Sequence, residues 1–259
     1  MRRLVFLTMI ALFSAVASAE EWSHSYPVSG KPEVIVDAND GDLEILTSSS
    51  QQVSVRVIAH GWKINHELRV TGNQSGNHVE IRLQHPPKAC FGFCFQSIRV
   101  ELHVPRESDL NLHTGDGNVR VNDVRGSLRF ETGDGDVRVR DVEGSLRADT
   151  HDGNVDVTGR FDLLNLHTGD GNVDAEVSAS PTPQPGWMLR TGDGNIRLRL
   201  PDSFAADLDA HTGDGNVKVD FPIMSSTSNK ENAVRGRING GGISIELQSG
   251  DGDIRVEKM

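Results

Sequence analysis

One phrase recurs seven times along this chain: an apolar-alternating run, then Thr-Gly-Asp-Gly-Asn, then a second alternating run. The first copy is Thr114-Gly115-Asp116-Gly117-Asn118, and others start at Thr132, Thr150, Thr168, Thr191 and Thr212. The last reads Ser249-Gly250-Asp251-Gly252-Asp253, and a degenerate eighth copy, Asn39-Asp40-Gly41-Asp42, lies far upstream. Self-similarity at a period near twenty residues marks a repeat architecture, in which each unit buries its apolar face against the next.

Before the Gly-Asp-Gly, alternate positions are apolar or Thr: Leu110, Leu112, Thr114; then Leu128, Phe130, Thr132; then Leu146, Ala148, Thr150. After it come Val119 and Val121, Val137 and Val139, Val155 and Val157. A period of two over about five residues is a half-buried strand. Each copy is therefore two short strands joined by a turn. An antiparallel meander would leave every Leu and Val on one face with nothing opposite. Coils stacked in parallel close the Leu strand over the Val strand around a narrow core. A left-handed hexapeptide coil needs a six-residue apolar period, which is absent. The expected fold is all-β, a parallel β-solenoid (β-helix-like) of about seven Thr-Gly-Asp-Gly-Asn coils at 109–259, preceded by a β-rich section at 20–108. That opening section carries clear strands around Val34–Val36, Val53–Val57, Val79–Leu83 and Ile98–Val104, either as irregular coils continuous with the solenoid or as a small cap.

Stacking turns equivalent residues into columns. The threonines should form an inward hydroxyl ladder. Asn118, Asn154, Asn172, Asn195 and Asn216 should form an amide ladder interrupted by Asp136 and Asp253. The glycines flanking each Asp suggest backbone angles closed to other residues. His151 replaces the first glycine in one copy, so only the second is strictly demanded. Extra length falls at 178–186, rich in Pro, and at 224–242, where insertions leave the strands intact.

Residues 1–19 read as a secretory signal: Arg2 and Arg3, an apolar stretch from Leu4 to Val16, and the small-residue site Ala17-Ser18-Ala19. No later segment could span a bilayer. Loss of its two arginines would take the formal charge from −11 to −13. That balance argues against nucleic acid or anionic lipid as partner, since both require a basic footprint. It fits an exported protein, periplasmic or on the cell surface.

The sharpest candidate chemistry is the column Asp116, Asp134, Asp152, Asp170, Asp193 and Asp214, extended by Asp40 and Asp251. Oxygen ligands repeated along a solenoid edge can hold calcium between turns. The preferred alternative is that each Asp closes its own turn by accepting backbone N–H bonds. His113, His167 and His211 share one phase with Glu131, Asp149, Arg190 and Gln248, so that phase is simply outward and polar. No Ser-His-Asp or phosphate-loop phrase occurs. The carboxylates are alike and turn-placed rather than paired in unlike environments, and only Trp22, Trp62 and Trp187 could stack on sugars. A non-enzymatic protein with no required cofactor is expected.

The two cysteines, Cys90 and Cys94, lie in Cys-Phe-Gly-Phe-Cys. In an oxidising compartment a local disulfide is the default reading; a metal site would need further ligands, and only His85 is close in sequence. Phe91, Phe93 and Phe95 either present a small apolar contact surface to a partner or fold back as a plug.

Three features together resemble a bacterial adhesin-type family of unknown function, the DUF4097 type. They are Asn39-Asp40-Gly41-Asp42-Leu43-Glu44-Ile45, then Val100-Glu101-Leu102-His103-Val104-Pro105, then the seven repeats. The resemblance runs from about Val34 to Val256. It implies a right-handed β-solenoid on an exported or surface protein; the expected partner is an envelope protein or a glycan of unknown identity. The family phrase often has Ser where this chain has Asp, which weakens the calcium reading. Nothing carries over to the cysteine loop or the Pro-rich insertion.

Overall fold

The computed structural model describes residues 19–86, 96–178 and 186–259, with only the backbone at 225–230. The predicted signal (apart from Ala19), the Cys90–Cys94 pair with Phe91, Phe93 and Phe95, and most of the Pro-rich insertion lie outside the described residues.

The described chain is all-β, with no helix, in one mixed sheet of 21 strands. The opening section holds β1 (Glu20–Pro27), β2 (Glu33–Ala38), β3 (Asp42–Ser48), β4 (Gln52–His60), β5 (Arg69–Ser75), β6 (His78–Gln84) and β7 (Ser97–Pro105). The repeats supply β8 (Asp109–Thr114), β9 (Val119–Asn122), β10 (Arg125–Thr132), β11 (Val137–Thr150), β12 (Val155–Thr168), β13 (Val173–Val177), β14 (Trp187–Thr191) and β15 (Ile196–Leu200). The last third holds β16 (Ala206–Asp214), β17 (Val217–Val219), β18 (Ile223–Lys230), β19 (Ala233–Ile238), β20 (Ile243–Asp251) and β21 (Ile254–Lys258).

Equivalent strands pair in parallel with the repeat in register: Thr114 opposite Thr132, Thr132 opposite Thr150, Thr150 opposite Thr168 and Thr168 opposite Thr191. The valine strands do the same through Val119, Val137, Val155, Val173 and Ile196. The Leu and Val sets are buried against each other, and one apolar cluster runs from Tyr26 to Val256. This is the stacked-coil alternative; the meander is ruled out by the parallel ladders. The ladder also passes without a break into the opening section, since β2 pairs with β8 and β3 with β9.

Stacking order departs from chain order at both ends. At the C-terminal end β20 and β21 lie between the β14–β15 coil and the β16–β17 coil, so Ser249 stands between Thr191 and Thr212. At the other end β2 and β3 lie between the β6–β7 coil and the β8–β9 coil. The outer coils are then covered by antiparallel strands: β5 on β6, β4 and then β1 on β7, and β19 and then β18 on β16. Covering strands of opposite direction break the template that an open parallel end would present.

Candidate functional site

The corner where the phrase turns is built from three sets of contacts between coils. Each Thr or Ser hydroxyl is buried and donates to the carbonyl of the second glycine of the neighbouring coil, at 2.7–2.9 Å. This series runs from Thr114 on Gly41 to Thr212 on Gly252. The second glycines let the corner backbones close up. A Cβ on Gly117, Gly135, Gly153, Gly171 or Gly194 would lie 1.8–2.0 Å from the neighbouring coil's carbonyl oxygen. The expected special backbone angles occur at three second glycines, Gly41, Gly215 and Gly252, whose φ values are 129°, 142° and 153°, but not at the others. None of these five glycines has a positive φ, and close approach of backbones is what excludes a side chain. At the first position the gap is wider in some coils, 2.7 Å at Gly133, and His151 occupies that place in the next coil.

The last residue of the phrase makes the third contact. Its Oδ1 accepts the backbone N–H of the equivalent residue one coil on, at 2.9–3.1 Å, through Asp42, Asn118, Asp136, Asn154, Asn172, Asn195, Asp253 and Asn216 in turn. The expected interruption at Asp136 and Asp253 does not occur. The ladder requires only an acceptor, and a carboxylate supplies it as well as an amide. For Asp136, burial works to raise its pKa, but N–H donation from Asn154 and the Arg138 guanidinium outweigh it and hold the carboxyl below the usual range. Asn216 donates to Asp253, whose pKa is also lowered. The sign follows: a lowered folded-state pKa adds stability above the unfolded value, roughly pH 4, and that stability is lost as pH falls through the folded value. Asp136→Asn keeps the acceptor and removes the charge. Its unfolding free energy should therefore fall less steeply than that of the parent between about pH 4 and pH 2. Urea melts across that interval would show it, and parallel curves would refute the assignment.

The central Asp of each phrase has no part in these ladders. Asp116, Asp134, Asp152, Asp170, Asp193, Asp214 and Asp251 are exposed. No backbone N–H bonds to any of their carboxylates among the described residues. The turn-closing role expected for them is thus overturned: the Thr hydroxyl, the second glycine and the Asx side chain tie the corner instead. Among the described residues only Asp152 has a basic side chain close by, with His151 at 3.6 Å. At the far end Asp40 meets His85 at 3.1 Å. Burial and the negative charges of Asp40 and Asp134 push the Asp116 carboxyl up. Among the described residues no group of three His, Cys, Asp or Glu stands close enough to hold a metal ion.

Two grooves flank this edge. One of about 330 Å³ lies where the column ends and is lined by Asp40, Asp116, Trp62 and His85, with the Trp62 and His85 rings 4.5 Å apart. Trp62 was legible only as an isolated aromatic, because the pairing of its neighbourhood with the first repeat is long-range. Trp187 is buried against Phe204 and unavailable to a ligand. The second groove, about 410 Å³, runs along Asn172, Asn195 and Asp253 beside Asp174, Arg197 and Arg255. His113, His167 and His211 are exposed and, as expected, separate: Glu131 and Asp149 stand between the first two.

The Toastrack DUF4097 family model matches residues 33–179 and, overlapping, 108–257. The chain belongs to this family. Among solved structures, the Toastrack chain is similar to a provisionally named cell adhesion protein from Clostridium sporogenes, at 13% identity over 93% of this chain and 100% of that one, TM-score 0.41. It is also similar to provisionally named adhesins from Bacteroides fragilis (12%, covering 94% and 99%, TM-score 0.45) and Parabacteroides merdae (12%, covering 93% and 96%, TM-score 0.39). No curated protein matches it. No helix among the described residues is long and apolar enough to cross a membrane.

Proposed function

We propose that this Toastrack chain is an exported, non-enzymatic, adhesin-like binding or scaffold protein of the bacterial cell envelope. Its carboxylate edge meets an envelope protein or a glycan. The observation that carries this reading is the exposed Asp of every repeat. Thr, the second Gly and Asx each have a contact that explains their recurrence, whereas the Asp recurs without one, facing solvent in register. Aligned like charges cost stability rather than adding it, so their repetition points outward, to what they meet. The coils are read as right-handed, the hand that connections between parallel strands of one sheet almost always take.

A second reading keeps calcium, held between neighbouring Asp carboxylates of adjacent coils, where burial and then the Asp40 and Asp134 charges raise the Asp116 carboxyl. Thermal unfolding of chelator-treated protein with and without millimolar calcium separates the two. A large upward shift would assign the edge to the metal, because a ligand of the folded state alone raises its stability. With no shift, Asp134, Asp152 and Asp170 changed together to Asn should leave the melting temperature unchanged or higher and abolish retention on isolated cell envelopes. Retention equal to that of the parent protein would sink the edge as the binding surface.

A further inference from the structure

The valine-strand sheet ends on a strand with a neighbour on one side only. In the inner coils each valine strand has a parallel partner on both sides, and its apolar pair is buried: Val137 and Val139, Val155 and Val157, Ile196 and Leu198, Ile254 and Val256. In β17 the corresponding Val217 and Val219 are only half-buried. β17 pairs with β21, and among the described residues no strand pairs with its other side. The Ile254 N–H donates to the Asn216 carbonyl and the Asp220 N–H to the Val256 carbonyl, so these groups of β17 face β21. By alternation the main-chain groups of Val217 and Val219 face the open side. There the Glu231 carbonyl accepts the Val217 N–H at 2.8 Å, in the place that the next coil's Asx carbonyl takes at Val137 and Val155. The edge is covered at its start, and no described strand continues past Val217 to Val219.

The outward charges indicate what would fit beside it. Inside the stack Val137-Arg138-Val139 lies against Val155-Asp156-Val157, and Ile196-Arg197-Leu198 against Val173-Asp174-Ala175, each with Arg opposite Asp. Opposite charges facing across neighbouring strands are favourable, and like charges are not. β17 has the same apolar-basic-apolar form, Val217-Lys218-Val219, but its one neighbour sets Arg255 opposite Lys218, and Arg197 stands opposite Arg255 in turn. Three cations therefore line up toward the open edge. Lys218, the last of them, is exposed and has no ion pair among the described residues. A lysine on a short edge strand deters pairing in general. The one strand it favours is a strand that brings an acid to its side.

We propose that the open side of β17 is a strand-addition site for an extended segment of a partner protein with the pattern apolar-acidic-apolar. Main-chain bonds to Val219 hold the segment, its apolar residues cover the two half-buried valines, and its carboxylate meets Lys218. The site does not depend on the carboxylate edge. Fluorescence anisotropy of a labelled peptide, Gly-Asn-Val-Asp-Val-Thr (the sequence of residues 153–158), titrated with the purified protein tests it. The expected result is saturable binding, at least about tenfold tighter than that of the same peptide with Lys in place of Asp, and weaker as salt rises. Lys218→Glu should reverse the preference between the two peptides, an outcome that a purely structural lysine would not give. Val219→Pro removes an outward N–H at a position where an edge strand tolerates proline, and should abolish binding of both peptides with little change in melting temperature. Should that variant unfold the end of the stack, the reversal at Lys218 still decides. No saturable binding, equal affinity for the two peptides, or a preference that Lys218→Glu leaves unreversed would overturn the proposal. So would a parent protein that sediments as a dimer dissociated by Val219→Pro, since the occupant would then be a second copy.

Discussion

Replacing Gly153 by alanine is expected to destabilise the protein by about 3 kcal/mol or more, whereas Gly133→Ala costs about 1 kcal/mol. Both glycines belong to the central coils, and both changes add one methyl group. The difference lies in where that group goes. At Gly153 a Cβ falls 1.9 Å from the Gly135 carbonyl oxygen and 2.9 Å from the Thr150 hydroxyl. Relief would require parting two coils that are also joined by the Thr150 hydroxyl, which donates to Gly135 at 2.9 Å, and by Asn154 on Asp136. One methyl therefore strains two ladders. At Gly133 the gap to the Gly115 carbonyl is 2.7 Å, and the next coil carries His151 in the same place, so a shift of a few tenths of an ångström suffices. Urea unfolding of the two variants side by side measures the contrast. Equal costs would mean that conformational freedom, and not approach of the coils, accounts for the second glycine.

Ending the chain at Ile238 should have a larger effect still. In a solenoid stacked in chain order, loss of the last repeat removes one end coil and leaves the rest standing. Here β20 and β21 lie inside the stack, with β14 and β15 on one side and β16 and β17 on the other. The truncation withdraws Ile243, Ile245, Leu247, Ile254 and Val256, all buried. At about 2 kcal/mol each this is roughly 10 kcal/mol of burial, comparable with the whole stability of an ordinary domain. The neighbours lose their cover as well. Trp187, which is buried and stands opposite Ile245, should shift its emission to the red, and the segment from 186 onward should become sensitive to protease. Removal of Glu20–Pro27 is the comparison: among the described residues β1 is an edge strand paired only with β4, and its loss should cost a few kcal/mol without opening the core. A truncated chain with native Trp187 emission would contradict the inserted position of the last coil.

Much of this architecture could be read from local pattern. A period of two around Leu110 and Leu112, and again around Val119 and Val121, is enough for two strands and their inward faces, because the pleat sends alternate side chains to opposite sides. Repetition at a constant phase is enough for parallel stacking, since a single coil cannot bury its own apolar set. The Thr hydroxyl ladder follows from the same two facts. The tolerance of His151 was also visible, as a single exception among otherwise repeated glycines.

Other features depend on pairing between distant residues. The last repeat in the chain is not the last in space, because a parallel ladder has no memory of chain order: β20 fits beside β14 as well as β16 would, and the intervening segment is long enough to let it. The Asp of the phrase resembled a turn former until the corner was seen to be tied by neighbours one coil away. Asp136 looked like a break in an amide ladder until only its acceptor oxygen proved to matter. The outward charges Glu44, Arg120, Arg138, Asp156, Asp174 and Arg197 are scattered along the sequence and come into line only once the register is known. What the amino-acid order determined alone was therefore the strand, its buried face and the need to stack, all set by neighbours within a few residues. Which coil lies against which, which Asp is left free, and which charges stand in line were decided by the tertiary structure, because each is a contact across the stack and not along the chain.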